Sequence, residues 1–374
     1  MRPGKAARLL VWLTMASAGA CSLQAPPSPE SGDHPEISFA KELTIELEAL
    51  RNVELSHALP LRVVGSFPDL GNEGGASLRL AGAPAYGPSQ DIHAAEQERR
   101  QVVSFRPDLS GWRPFTPRLD DYPLNLEIQG GMVYVDVSGR IDSFGSSGER
   151  LFSFHTYYNL FDFTVLPDGS IWVNPRWTRA RPDQPLLIHL DASGRKIAGL
   201  GQRSSQEAWR GLLDNVFLAS GFGRLWALGQ REPVLRVFDT GSGREIAARQ
   251  IKHPLFREVR AAARWPLTGG QGRSLLAPRY TADLVLDGKE LFVLLHLPFV
   301  EILRLDFEGR EKARYRWQDD NLQLLDLNGL DVRGGARHEP VFLVLALRNP
   351  PFPQEPHHVL LELAPDSKSE EPLS

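Results

Sequence analysis

A single cysteine, Cys21, occurs in 374 residues, so no disulfide can form within the chain and no cysteine cluster can hold zinc or iron. After Cys21 there is no apolar run of the roughly 20 residues that a spanning helix needs. Convincing helical periodicity is also scarce. Glycine-rich phosphate loops ending in lysine and GxSxG elbows are missing, which removes the commonest phosphate-binding and serine-hydrolase signatures. The histidines, among them His93, His155, His189, His253, His296, His338, His357 and His358, are scattered and form no HExxH pair, so a zinc enzyme is not indicated. A formal charge of -4 makes the chain a poor general ligand for nucleic acid.

What is present begins with a three-part leader. Arg2, Lys5 and Arg8 precede an apolar stretch from Leu9 to Ala16 and the small residues Ser17 to Ala20. This layout fits an export signal over residues 1–20 and is too short to span a membrane. The run Ala18-Gly19-Ala20-Cys21 resembles a bacterial lipobox, with alanine where leucine is commoner. The resemblance implies acylation of Cys21 and anchoring to a lipid bilayer, with two or three acyl chains giving firm attachment. Ser22, rather than aspartate, follows the cysteine, which implies an outer-membrane destination facing the periplasm. Residues 21–36 are polar and proline-rich and are expected to be a lipidated flexible tether. Losing the leader removes three basic residues and no acidic one, so -4 becomes -7.

The body reads as short strands and turns. In the clearest unit, FTVL (Phe163 to Leu166) is followed by a Pro-Asp-Gly turn and SIWV (Ser170 to Val173). LLIHL (Leu186 to Leu190), the turn DASGR (Asp191 to Arg195) and KIAGLG complete it. Aspartate and glycine at such turns supply local hydrogen bonds and positive φ. Related copies carry GGMVYV, GFGRLWAL, LDGKELFVLL and the segment Gly334 to Leu347, and Gly148, Gly194, Gly243 and Gly309 recur 46, 49 and 66 residues apart. The first two intervals suit a four-stranded propeller blade. A weaker copy runs from Ala76 to Phe115, and the last ends on HVLLELA (His358 to Ala364) with no fourth strand of its own. LRVVGSF (Leu61 to Phe67) is suited to supply that strand and close the ring.

These repeats resemble six-bladed propellers of the NHL and TolB-like group, which include bacterial lipoproteins. The expected fold is all-β: a six-bladed β-propeller of four-stranded antiparallel blades over residues 61–365, closed by an N-terminal strand, with seven blades or a sandwich of the same hairpins as the alternatives. Residues 37–60 are an extension of unassigned structure and 366–374 a polar tail. Trp172, Trp226 and Phe292 occupy comparable positions and are expected to fill wedges between blades.

Asp168, Asp191, Asp239, Asp287 and Asp306 stand in hairpin turns, where a structural role is expected. Asn125, Asp162, Asn215 and Asn321 lie near starts of inner strands and could face a central channel. Some related propellers hold a divalent cation there, but no such ligand set is matched, so no cofactor or metal is expected. A basic insertion is more distinctive: Lys252, Arg257, Arg260, Arg264, Arg273 and Arg279 stand against one acid, Glu258. Lipid headgroups, an envelope protein or another acidic surface would complement it. The sequence therefore favours an envelope lipoprotein that binds through propeller loops without being an enzyme. A metal-dependent lactonase-like hydrolase or a small-ligand or glycan binder is the alternative.

Overall fold

The computed structural model describes residues 58–67, 78–176, 184–203, 214–257, 279–297, 299–317, 325–334, 339–348 and 357–366. The leader, Cys21, the tether, Arg260, Arg264, Arg273 and Asn321 lie outside the described residues. Among those described, no helix is long and apolar enough to cross a membrane.

The architecture is all-β and propeller-like, built from up-and-down antiparallel sheets. The first contains β2 (Leu80–Tyr86), β3 (Ile92–Glu96), β4 (Gln101–Phe105) and β5 (Trp112–Pro114). The second contains β6 (Pro123–Gln129), β7 (Met132–Val137), β8 (Arg140–Phe144) and β9 (Arg150–His155). The third contains β10 (Leu160–Val165), β11 (Ile171–Pro175), β12 (Leu187–Leu190) and β13 (Lys196–Leu200). The fourth contains β14 (Val216–Gly221), β15 (Arg224–Gly229), β16 (Val234–Asp239) and β17 (Glu245–Gln250).

The remaining strands depart from the expected six separate blades. They are β1 (Leu59–Phe67), β18 (Thr281–Asp287), β19 (Glu290–Leu295), β20 (Val300–Leu305), β21 (Glu311–Trp317), β22 (Leu325–Arg333), β23 (Val341–Arg348) and β24 (His357–Pro365). Together they form one eight-stranded sheet, ordered β18-β19-β20-β21-β1-β24-β23-β22. The cause is local to β1. Its body pairs antiparallel with β24, from Leu61 opposite Pro365 to Phe67 opposite Leu360, while Leu59 and Pro60 pair in parallel with Tyr315 and Arg316 of β21. The N-terminal strand thus completes the last unit and welds it to its neighbour, leaving neither β21 nor β24 as a bare edge there.

Burial is graded across each sheet. Every residue of β11 and β19 is buried, whereas the fourth strand β17 is almost wholly exposed. First strands pack in a cycle: β2 on β6, β6 on β10, β10 on β14, β14 on β18, β18 on β22 and β22 on β2. They therefore surround a common axis, and second strands are sandwiched between neighbouring sheets. Trp172, Trp226 and Phe292 are at most 1% exposed on those second strands. Trp226 lies 5.2 Å from Phe307 of the next sheet and donates its indole N–H to the Phe307 carbonyl. Wedge filling is thus their observed role.

The turn aspartates also hold structure. Asp191 Oδ1 accepts from Ser193 N and Arg195 N, and Asp306 Oδ1 accepts from Glu308 N and Arg310 N. Asp168 and Asp239 accept from Ser170 and Ser242. Gly148 and Gly194 follow at φ of +83° and +82°, where a Cβ would strike Phe115 O and the Phe154 ring respectively. Turns joining first to second and third to fourth strands gather at one end of the ring. Connections from second to third strands, and between successive units, gather at the other.

Candidate functional site

Each first strand is an edge strand facing the axis, so its unpaired backbone groups need partners. Bulges supply them by re-aiming side chains. Register breaks fall between Pro123 and Asn125, Leu160 and Asp162, Thr281 and Asp283, and Leu327 and Gly329. Asn125 Oδ1 accepts from Ala83 N on β2 at 3.2 Å, and its Nδ2 donates to Asp162 Oδ1 on β10 at 2.5 Å. Asp162 Oδ2 accepts from Leu218 N on β14 at 2.7 Å. Asp283 Oδ2 accepts from Leu330 N on β22 at 2.7 Å, and Asp331 Oδ2 accepts from Tyr86 N on β2 at 2.6 Å. Asn125, Asp162, Asp283 and Asp331 thereby tie neighbouring first strands together.

Two residues beyond Asn125 and Asp162, on the same strand face, stand Glu127 and Thr164. Glu127 Oε2 accepts from Val165 N at 2.9 Å, and Oε1 accepts from Thr164 Oγ1 at 3.1 Å. Thr164 Oγ1 is in turn 3.0 Å from Ser220 Oγ on β14. When Glu127 is ionised, Thr164 donates to it and can accept from Ser220. A polar line Ser220–Thr164–Glu127 therefore crosses three consecutive first strands.

Enclosure raises these acids. Burial, reinforced by the Asp162 charge and opposed by the Val165 N–H and Thr164, pushes Glu127 up to about 8. Burial lifts Asp162 to about 7 against its bonds from Leu218, Phe163 and Asn125, and lifts Asp331 to about 7. Burial and the Asp162 charge hold Asp283 well above the usual carboxylate range. Glu127 and Asp331 nevertheless keep part of their surface accessible. Acids poised near neutrality beside hydroxyls can exchange protons with a bound molecule.

The hydrogen bonding of this set is already extensive. Both oxygens of Asp162, Asp283, Asp331 and Glu127 already accept protein donors, and among the described residues no three His, Cys, Asp or Glu side chains converge as ligands.

Of the channel candidates read from sequence, Asn125 and Asp162 do meet in the ring. Asn215 precedes β14 and accepts from Gln230 N through its backbone. Glu127, Thr164, Ser220, Asp283 and Asp331 escaped the sequence reading. For Glu127 and Thr164 the signal is a second polar residue two positions after the polar residue near the strand start, as in Asn125-Leu126-Glu127 and Asp162-Phe163-Thr164. In the basic insertion Lys252 and Arg257 are exposed, while Arg279 is half-buried just before β18. His253, at the root of the insertion, is buried 2.8 Å from Glu301, which also pairs with Arg314 and Arg316.

No family model and no curated protein matches the chain. Solved structures do. A gluconolactonase from Xanthomonas campestris aligns at 12% identity over 77% of this chain and 87% of its own, with a TM-score of 0.47. Virginiamycin B lyase from Staphylococcus aureus aligns at 11% over 77% and 97%, with a TM-score of 0.46. A calcium-binding regucalcin from Agrobacterium tumefaciens aligns at 12% over 83% and 98%, with a TM-score of 0.48. Two of these three are enzymes, against the expectation that the chain is not one. At such identities and TM-scores none transfers its own activity to this chain.

Proposed function

We propose that the first-strand ring is an acid–base site of hydrolase or lyase type acting on a small ligand, without a resident metal. The observation that carries this reading is the Ser220–Thr164–Glu127 line. Ionised Glu127 accepts the Thr164 proton as Thr164 draws one from Ser220, leaving the Ser220 oxygen, or a water beside it, nucleophilic. Asp331, which burial lifts to about 7, is part protonated at neutrality and can supply the acid for a leaving group while the ionised fraction of Glu127 acts as base.

The same reading takes the eight-stranded sheet as two blades joined at β1. The closed cycle of six first strands supports a six-bladed ring, in keeping with the resemblance to NHL and TolB-like propellers. Acylated Cys21 would hold this ring at the bacterial outer membrane, facing the periplasm. The same reading has the exposed Lys252 and Arg257 meet an acidic envelope surface.

The test is turnover of a panel of lactones and esters by the wild-type chain and by Glu127→Gln, Thr164→Val and Ser220→Ala. Loss of one or more proton-transfer groups predicts a fall of about 10²-fold or more in kcat for each variant. Wild-type rates in all three variants, or no turnover by the wild-type chain across the panel, would sink the reading.

A further inference from the structure

At the end of the ring that carries the second-to-third strand connections, a cleft of about 270 Å³ opens between the second and third sheets. It is lined by Ser138 of the β7–β8 connection, by Tyr157, Tyr158 and Asn159 of the β9–β10 connection, and by Arg176 and Gln184 between β11 and β12. The acid–base line runs along first strands and takes in none of these residues.

The walls of the cleft are tied to one another. Thr156 is fully buried and donates its N–H to the Gly139 carbonyl at 3.0 Å. Its hydroxyl donates to the same carbonyl at 2.8 Å while accepting from Tyr158 N at 3.3 Å. Arg176 N donates to the Asn159 carbonyl at 2.8 Å, and Arg176 Nε to the Leu160 carbonyl at 2.9 Å. Gly139, at φ of +87°, lets these loops meet, because a Cβ there would lie 2.9 Å from the Tyr158 carbonyl. Ser138 and Tyr157 also stand in the left-handed region, at φ of +52° and +59°, although neither is glycine. They are two of six such non-glycine residues among those described, and both border this one cleft. Backbone strain persists where the surroundings over-determine it, and ligand sites are where it gathers.

Tyr157 is the residue the fold does not explain. Its side chain is 77% exposed, and its ring meets His155 only loosely, at 6.2 Å and 42°. A large aromatic face is thus held in solvent by a backbone conformation that a bulky residue rarely adopts. Beside it stand residue types that both donate and accept hydrogen bonds, the hydroxyls of Ser138 and Tyr158 and the amides of Asn159 and Gln184. Among the described residues no carboxylate lines the cleft, and Arg176 is its single cation. The matching ligand is uncharged, offers an apolar face to stack and carries hydroxyls around its edge. A hexopyranose ring has this arrangement, with C–H bonds on its faces and hydroxyls on its rim. The volume lies at the small end of ordinary ligand pockets, which suits a sugar rather than a larger molecule.

We propose that this cleft binds a neutral mono- or disaccharide, with Tyr157 as the stacking platform and Asn159 and Gln184 meeting the ring hydroxyls. The tied loops hold the lining in place before the sugar arrives, so little ordering is left to oppose binding. The site lies apart from the acid–base line, and its occupancy is read without turnover.

The experiment titrates the full chain with glucose, galactose, N-acetylglucosamine, maltose and cellobiose, by calorimetry and saturation-transfer NMR, with succinate as the anionic comparison. At least one sugar should bind the wild-type chain saturably, with transfer strongest at the C–H protons of one ring face. Tyr157→Asn should weaken that sugar by about tenfold, the worth of one stacked ring. The same variant should keep a Tm at or above the wild-type value, because asparagine tolerates positive φ. Tyr157→Phe retains the ring and should bind as the wild type does. No saturable sugar binding by the wild type, undiminished binding by Tyr157→Asn, or a Tm lowered by that substitution overturns the site. Succinate binding more tightly than every sugar would make the cleft an anion site around Arg176 and overturns it equally.

Discussion

Replacing Glu127 by glutamine should flatten the fall in stability that the wild-type chain shows as pH rises. Glu127 moves from an ordinary 4.5 to about 8, chiefly through burial. A folded value raised above the unfolded one means the folded chain holds a proton that the unfolded chain has released. Stability is therefore full below about 4.5 and is lost progressively as pH climbs to about 8. At about 1.4 kcal/mol per pH unit, ionising Glu127 costs the fold on the order of 5 kcal/mol. Glutamine stays neutral throughout and can still accept from Val165 N. Its amide can meet Thr164 Oγ1, so the shape of the site survives. Urea unfolding of both proteins at pH 5, 6, 7 and 8 measures the difference. The variant should match the wild type near pH 5 and exceed it by several kcal/mol near pH 8. Parallel stability curves, with the variant losing as much as the wild type across that range, would refute the argument.

Other consequences are independent of this titration. Asp162→Ala leaves Leu218 N and Asn125 Nδ2 without their acceptor and should cost at least ~2 kcal/mol at pH 6, read by urea unfolding. Trp226→Ala empties a fully buried wedge site and should cost about 3–5 kcal/mol; a change under ~1 kcal/mol would contradict its packing role. A chain lacking residues 1–67 bares the edges of β21 and β24 and should lose the single cooperative transition, with self-association visible by light scattering. Cys21→Ser should abolish incorporation of labelled fatty acid and release the exported chain from membranes; unchanged labelling would refute lipidation.

Much of the scaffold was legible because its turns are chemically marked. Asp191-Ala192-Ser193-Gly194 and Asp306-Phe307-Glu308-Gly309 announce hairpins whose glycines need positive φ. Trp172 and Trp226 mark equivalent second strands. The pairing of Leu61–Phe67 with the last strand followed from counting strands, since the final unit was one short. The weld between Leu59–Pro60 and β21 was illegible, because two parallel pairs leave no periodic trace. The acid ring was only half visible. Asn125 and Asp162 stand where strand-start polar residues attract notice. Glu127 and Asp331 lie inside strands whose bulges are set by register rather than composition.

The most direct measurement of the central claim is carboxyl ¹³C NMR on chain labelled at glutamate, followed from pH 4 to 9. One glutamate should titrate near pH 8, and its resonance should vanish in Glu127→Gln. A spectrum in which every glutamate titrates below pH 5 would show that the ring is not poised for proton transfer near neutrality, and the acid–base reading would fall.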